Sequence, residues 1–256
     1  MISPPRFFLP EPNMGSLQVR AGGHSAQGLR PNNEDRFLAD TTHAVFLVAD
    51  GMGGQESGEQ ASGLAVEIIP RAIQVHLDSH GDPSQAVTRA LREANQAILD
   101  AGKHQAIGRR MGTTAVLAVR QDDQIYVAGL GDSRAYLIRG DRVEQLTIDH
   151  TIAEALLRNG ALTPEQARQS PYRHVLYKFL GCADLPDSAE VHPFTPQPGD
   201  RLVLASDGLT NYVAPDDLRT GAIRHPDPQE WANELVLLAL ERGSNDNVTC
   251  VVVAFS

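Results

Sequence analysis

The stretch from Thr113 to Thr147, "TTAVLAVRQDDQIYVAGLGDSRAYLIRGDRVEQLT", limits the possible fold more than any other part of the chain. Four β-rich runs follow one another, separated only by "QDDQ", "GDS" and "RGD". Parallel neighbours need a crossover of a dozen or more residues, so connections this short predict an antiparallel meander. Upstream, "DRFLADTTHAVFLVAD" reads as two strands joined by a polar turn at Thr41–Thr42. Helical spacing of apolar residues occupies other blocks: Ser57 to about Val75, Ser84 to about Ala101 after the start signal Pro83–Ser84, Ile152–Asn159, and 228–242. "DRLVLASDGLTNYV" returns to a strand ending in Asp-Gly, and "NVTCVVVAF" is a final strand. Strands and helices gathered in separate blocks predict an α+β sandwich, with antiparallel sheets inside and helices outside.

The 256 residues are enough to bury a substantial core, and 41% apolar with 21% charged content is ordinary for a globular chain. A formal net charge of −10 argues against nucleic acid or an anionic membrane as partner, since both select basic surfaces. No stretch approaches the roughly 20 apolar residues of a membrane span. The start, "MISPPRFFLPEPNMG", has a three-residue apolar patch broken by prolines and reads as a loose leader over 1–16, not a signal peptide. The two cysteines, Cys182 and Cys250, have neither zinc-ligand spacing nor the numbers for a disulfide framework. The expectation is a cytoplasmic, reduced protein.

The candidate chemistry lies in the carboxylates. Asp50-Gly51 follows "VFLVA" and Asp207-Gly208 follows "LVLAS", which places both acids at the rim of the core. Glu34 and Asp35 end the loop "GLRPNNED", Asp132 falls in "LGDSRAY", and Asp246 precedes the final strand. Singly, each has a plain reading as a turn or loop-capping acid. Together they suit a hard divalent cation, which takes oxygen ligands. The glycine after Asp50 leaves room for a backbone carbonyl at the same ion. Two ions about 4 Å apart would share a water and lower its pKa toward neutrality.

In order along the chain, "RPNNED", "VADGMGG", "MGTTAVLAV", "GLGDSRAYLIRG", "LTIDHT", "LASDGLTNYV" and "SNDNVTCVVV" resemble the blocks of the bacterial metal-dependent protein phosphatases, the type 2C serine/threonine family, from about Gly22 to Phe255. The resemblance implies a four-layer α-β-β-α sandwich with two central antiparallel sheets. It also implies two tightly bound Mg²⁺ or Mn²⁺ ions and hydrolysis of phosphoserine or phosphothreonine in proteins. In that family's pattern Asp50 bridges both ions, Gly51 offers its carbonyl, and Asp207 and Asp246 hold the second ion. Glu34 reaches the first ion through water with Asp35 nearby, and Arg30 binds the substrate phosphate. A third, weaker ion would lie between Asp132 and Asp207. Residues 17–256 would form one catalytic domain and 151–190 its flap. The expected partners are phosphoproteins, including an opposing Ser/Thr kinase, and the expected state is a monomer.

The chain departs from the family where a leaving-group acid is usual. Family members carry a histidine directly after Asp-Gly or after "DGMGG", and here those positions are Met52 and Gln55. His24, His150 and His174 lie near the motif blocks. Two other readings remain at this point: a phosphoprotein-binding module without turnover, against which Asp50, Asp207 and Asp246 stand, and a calcium-buffering protein, which would need denser Asp/Asn loops closed by a Glu.

Overall fold

The computed structural model describes residues 17–103, 111–185 and 189–256, so the leader expected over 1–16 lies outside the described residues. Among the described residues, eleven strands form two antiparallel sheets. The first runs, in spatial order, β1 (Val19–Ala26), β11 (Val248–Phe255), β10 (Arg201–Ala205), β7 (Arg134–Arg139) and β8 (Arg142–Gln145). The second runs β2 (Asp35–Asp40), β3 (Val45–Met52), β5 (Ala115–Gln121), β6 (Gln124–Leu130) and β9 (Val191–Phe194), with the two-residue β4 (Gly112–Thr113) pairing the end of β3. Helices α1 (Gln55–Asp78) and α2 (Pro83–Gly102) cover the second sheet. On the first sheet pack the one-turn α5 (Asp207–Thr210), α6 (Pro215–Arg224) and α7 (Pro228–Glu241). Two short helices, α3 (Ile152–Arg158) and α4 (Pro164–Gln169), lie in the segment expected as a flap.

Strand alternation explains the unbroken apolar runs. In β3, Val45, Leu47 and Ala49 pack against α1 and α2, whereas Phe46 and Val48 enter the core between the sheets. In β11, Val248, Cys250 and Val252 meet the helices of the first sheet, and Val251, Val253 and Phe255 face the second sheet. Successive side chains point to opposite faces, so a strand covered on both faces reads as continuously apolar. Three stacked apolar layers thus separate helices, sheet, sheet and helices, giving the four-layer sandwich.

The expected single meander is broken in its middle. β6 pairs with β5 and β9, while β7 pairs with β8 and β10. "GDS" therefore carries the chain from one sheet to the other. Gly131 has φ +98°, and a Cβ there would come within 2.6 Å of the Thr114 side chain. Connection length alone does not distinguish a hairpin from a short step between stacked sheets. Helices α1, α2, α3 and α7 fall where periodicity put them, with sharper ends: Asp82 caps α2 by accepting from the Gln85 amide at 2.9 Å, and Asp227 caps α7 through the Gln229 and Glu230 amides.

β1 was not visible in the sequence because its centre is Gly22-Gly23. A Cβ on Gly22 would lie 2.3 Å from the Gln229 backbone, and one on Gly23 would lie 2.4 Å from the Phe37 ring. The strand is squeezed between α7 and β2, which excludes the side chains that would have announced it.

Candidate metal centre

The expected carboxylates gather at one end of the gap between the sheets. β3 continues past the turn that "DGMGG" suggests: Asp50 pairs with Asp35 of β2, and Gly51 and Met52 pair with Thr113 and Gly112 of β4. Asp50 is therefore inside a strand, in register with Phe46 and Val48, and points into the gap as they do. Its amide donates to Thr114 Oγ1 at 3.0 Å, and its carbonyl accepts from the Thr114 amide at 2.8 Å and the Thr113 hydroxyl at 2.9 Å. Asp207 is not at the end of β10 but two residues beyond it, after Ser206, as the first residue of α5. Asp132 sits in the step between sheets, and Asp246 in the loop before β11. Arg30 and Glu34 come from the loop that leads from β1 of one sheet to β2 of the other.

These groups line one cleft of about 950 Å³: Arg30, Glu34, Asp50, Gly51, Met52, Asp132, His174, Asp207 and Asp246 all face it. Asp35 does not. It is 2% exposed, packed under the cleft floor, and its Oδ2 accepts from the Ser206 hydroxyl at 2.9 Å. Asp35 Oδ1, fully buried, has no hydrogen-bond partner. Glu34 and Asp35, adjacent in sequence, thus go to opposite places: one carboxylate reaches the cleft, and the other lies behind Asp50.

Gly51 is glycine for reasons of packing. A Cβ there would lie 2.2 Å from the Gly58 carbonyl oxygen and 2.6 Å from that of Glu34, both backbone atoms. Gly208 is equally hemmed in, 2.0 Å from the Asn247 carbonyl oxygen, and Gly28, at φ +61°, 2.1 Å from that of Asp246. The bare backbone lets the loops close tightly around the acids.

Electrostatically the cluster is short of positive charge. Burial, then the neighbouring charge of Asp35 and the other acids, pushes the Asp50 carboxyl well above the usual range. Burial raises Asp35 also, against hydrogen bonds from Thr249 and Ser206. Burial and then Asp207 push Asp132 up to about 7, and burial and then Asp246 raise Asp207. Among the described residues lining the cleft, Arg30 is the one arginine; it donates from Nη2 to Asp246 Oδ2 at 2.6 Å, and that bond raises its own pKa. Arg134, the next arginine along, is committed to Asp149 by a three-bond fork of 2.6–3.0 Å. A donor set dominated by carboxylates whose pKa values are raised by burial and by one another fits a hard divalent cation.

The acids are not all drawn equally close. Among the described residues, the one group of three His, Cys, Asp or Glu side chains whose donor atoms lie within 4.8 Å of one another is Asp132, His174 and Asp207. Asp50, Asp207 and Asp246 do not close to that distance, and Asp246 is turned to Arg30. Of the three histidines near the motifs, only His174 faces the cleft. His24 bonds Asn233 Oδ1 at 2.7 Å on the far side of β1. His150 is buried, accepts from the Gly131 amide at 3.2 Å, and is held near pKa 4 by burial and Lys178. Two positioning residues gave no signal in the sequence. Asn247 accepts from the Glu34 amide and donates to the Gln27 and Asn32 carbonyls, which fixes the whole Arg30–Glu34 loop. Ser206 joins Asp35 to β11 through Thr249.

Stacked antiparallel sheets whose crossing loops pool acids at one end define a cation-binding α-β-β-α sandwich. Residues 22–236 match the protein phosphatase 2C family, and the chain belongs to that family. It is 34% identical over 241 residues to the serine/threonine protein phosphatase PstP of Mycobacterium tuberculosis, an alignment covering 93% of this chain and 45% of that protein. With the protein phosphatase PhpP of Streptococcus pneumoniae it shares 33% over 233 residues, 89% of this chain and 93% of the other. The chain thus spans about half the length of PstP and nearly all of PhpP. Its fold matches a crystal structure of the PstP catalytic domain in complex with two manganese ions, with a TM-score of 0.78, 32% identity and coverage of 93% and 99% of the two chains.

Proposed function

We propose that this chain is a protein-serine/threonine phosphatase that hydrolyses phosphoserine and phosphothreonine in proteins with the aid of two Mg²⁺ or Mn²⁺ ions. The observation that carries the reading is the convergence of Asp50, Asp132, Asp207 and Asp246 on one cleft where, among the described lining residues, Arg30 is the one arginine or lysine. Asp50, the Gly51 carbonyl, Asp207 and Asp246 would hold the two ions, with Glu34 beside them and Asp35 behind. When bound, the ions supply positive charge to the phosphoryl oxygens and acidify a water.

The chain's own residues set the geometry. Thr113 of β4 and Thr114, just before β5, pin the Asp50 backbone. Ser206 and Thr249 hold Asp35 under it. Arg30 stands at the mouth, 56% exposed, on an ion pair with Asp246. Its planar fork suits two oxygens of a phosphate, and an incoming phosphoryl group would exchange for the carboxylate. Met52 lines the cleft without a proton to give, so no histidine stands directly after Asp-Gly. The substrates are phosphoproteins, and a Ser/Thr kinase of opposite action is the expected partner. Residues 17–256 form the catalytic domain with 151–190 as flap, acting as a monomer in the cytoplasm. Among the described residues no helix is long and apolar enough to cross a membrane.

The test is phosphate release from a phosphothreonine peptide with Mn²⁺, with and without a chelator. Release that stops on chelation supports the reading. No release with saturating Mn²⁺, or release indifferent to the chelator, overturns it.

A further inference from the structure

At the inner wall of the cleft, Asp132 from the step between sheets, Asp207 from α5 and His174 from the turn at 171–174 bring their donor atoms within 4.8 Å of one another. His174 Nδ1 lies 3.8 Å from Asp207 Oδ2, too far for a hydrogen bond. Donors about 2.1 Å from a common cation lie about 3–4 Å apart, so the gap fits a shared ion better than a direct bond. Among the described residues, no side chain binds these atoms strongly. Asp207 Oδ2 takes only a long contact of 3.3 Å from Asn211, and among the described residues Asp132 has no salt bridge, since Arg134 beside it is committed to Asp149. The three side chains also line a second groove, of about 410 Å³, beneath α3 and α4, and so form the wall shared by groove and cleft.

We propose that His174 supplies a nitrogen ligand to a third cation held with Asp132 and Asp207, and that this ligand makes the site prefer a first-row transition ion such as Mn²⁺ over Mg²⁺. The reasoning is donor chemistry. Carboxylates alone serve Mg²⁺ and Mn²⁺ alike, whereas an imidazole favours transition ions and gives little to magnesium, which keeps oxygen ligands and water. His174 is carried by the flap segment and Asp132 and Asp207 by the sheet ends, so an ion held by all three joins the two parts. The inference rests on the reading that the cleft binds divalent ions, and it adds the flap's donor and the selectivity that follows.

The experiment uses the full chain after chelation, titrated calorimetrically with Mn²⁺ and separately with Mg²⁺, for the wild type, His174→Ala and His174→Gln. Pulsed electron paramagnetic resonance of the Mn²⁺-loaded proteins reads nitrogen coupling directly. The expected result is a third, weaker Mn²⁺ event in the wild type that weakens by about tenfold or more in both variants. Mg²⁺ titrations should stay nearly unchanged, and a histidine-nitrogen coupling should be present in the wild type and lost in both variants. Two Mn²⁺ bound by all three proteins without nitrogen coupling overturns this inference alone and leaves the proposed function standing. Equal weakening for Mn²⁺ and Mg²⁺ in the variants overturns the selectivity. No Mn²⁺ bound by any of the three overturns both readings.

Discussion

Replacing Asp132 with asparagine should make the metal-free protein more stable, although it removes a group expected to serve the site. The carboxyl is 9% exposed, and its pKa is pushed from 3.8 to about 7, first by burial and then by the charge of Asp207. The folded state therefore holds this proton more tightly than the unfolded chain does. The associated stability is present below about pH 4 and lost as pH rises through about 7. At pH 8.5 the ionised carboxylate costs the fold up to about 4 kcal/mol, at about 1.4 kcal/mol per pKa unit. An amide keeps part of the desolvation cost, since its own dipole is buried, which leaves an expected gain of about 1–3 kcal/mol. For a chain of this length that raises Tm by about 2–12 °C. The assay is thermal unfolding in excess chelator at pH 8.5 and pH 5.5, repeated with saturating Mn²⁺. Asp132→Asn should melt above the wild type at pH 8.5, the two should converge toward pH 5.5, and Mn²⁺ should stabilise the variant less. A variant that melts at or below the wild type in chelator at pH 8.5 would refute the idea that unneutralised acids strain this end of the sandwich.

Asp50→Asn should keep the fold and lose turnover by about 10²–10³ or more at saturating Mn²⁺, because the acid on which Asp35, Asp132, Asp207 and Asp246 all act would lose its charge; a phosphatase assay with a melting curve checks both halves. Gly51→Ala should lower stability by about 1–3 kcal/mol or more, because the new methyl lands on two backbone carbonyls instead of a movable side chain; denaturant unfolding reads it, and a neutral result would mean that α1 can retreat from β3. Arg30→Ala should raise KM more than it lowers kcat, since the guanidinium would bind phosphate before and during reaction alike. It should also leave Mn²⁺ affinity no weaker, because it frees Asp246 from the pair at 2.6 Å.

What could be read from the sequence depended on whether a signal was local. Asp50 and Asp207 stood out because an acid interrupts an apolar run, and the run itself reported a strand buried on both faces. The start of α2 was legible through Pro83-Ser84, directly after the residue that caps it, Asp82. β1 was hidden because its glycines answer to Gln229 and Phe37, which lie far along the chain or in another layer. α6 was hidden similarly: Gly221 weakens its helical pattern but makes room for the Trp231 indole, 2.3 Å from where a Cβ would be. The division between Glu34 and Asp35 depends on β2 beginning at Asp35, a boundary set by the pairing with Asp50 and by no feature of "NNED". His174 looked like any loop histidine until the flap turn brought it to Asp207.

The pairing of Asp35 with Asp50 shows why the site sits where it does. Directly opposed like charges are unfavourable in a sheet, and here the two acids face a gap that elsewhere holds Phe46, Val48, Leu202 and Val251. Local preference alone would place apolar residues at both positions. The remainder of that inter-sheet layer, fully buried along β3, β5, β10 and β11, holds the strands in register whatever the charge at their ends. The sandwich can therefore present acids in fixed positions without help from a cation, and the strain stays in the carboxylates instead of being relieved by movement of the backbone. A cation entering the cleft meets Asp50 on a fixed strand, whereas Asp246 has to leave Arg30 to reach it. Part of the cation's binding energy is relief of the repulsion that the fold has maintained, and loading stabilises the folded state with that relief included.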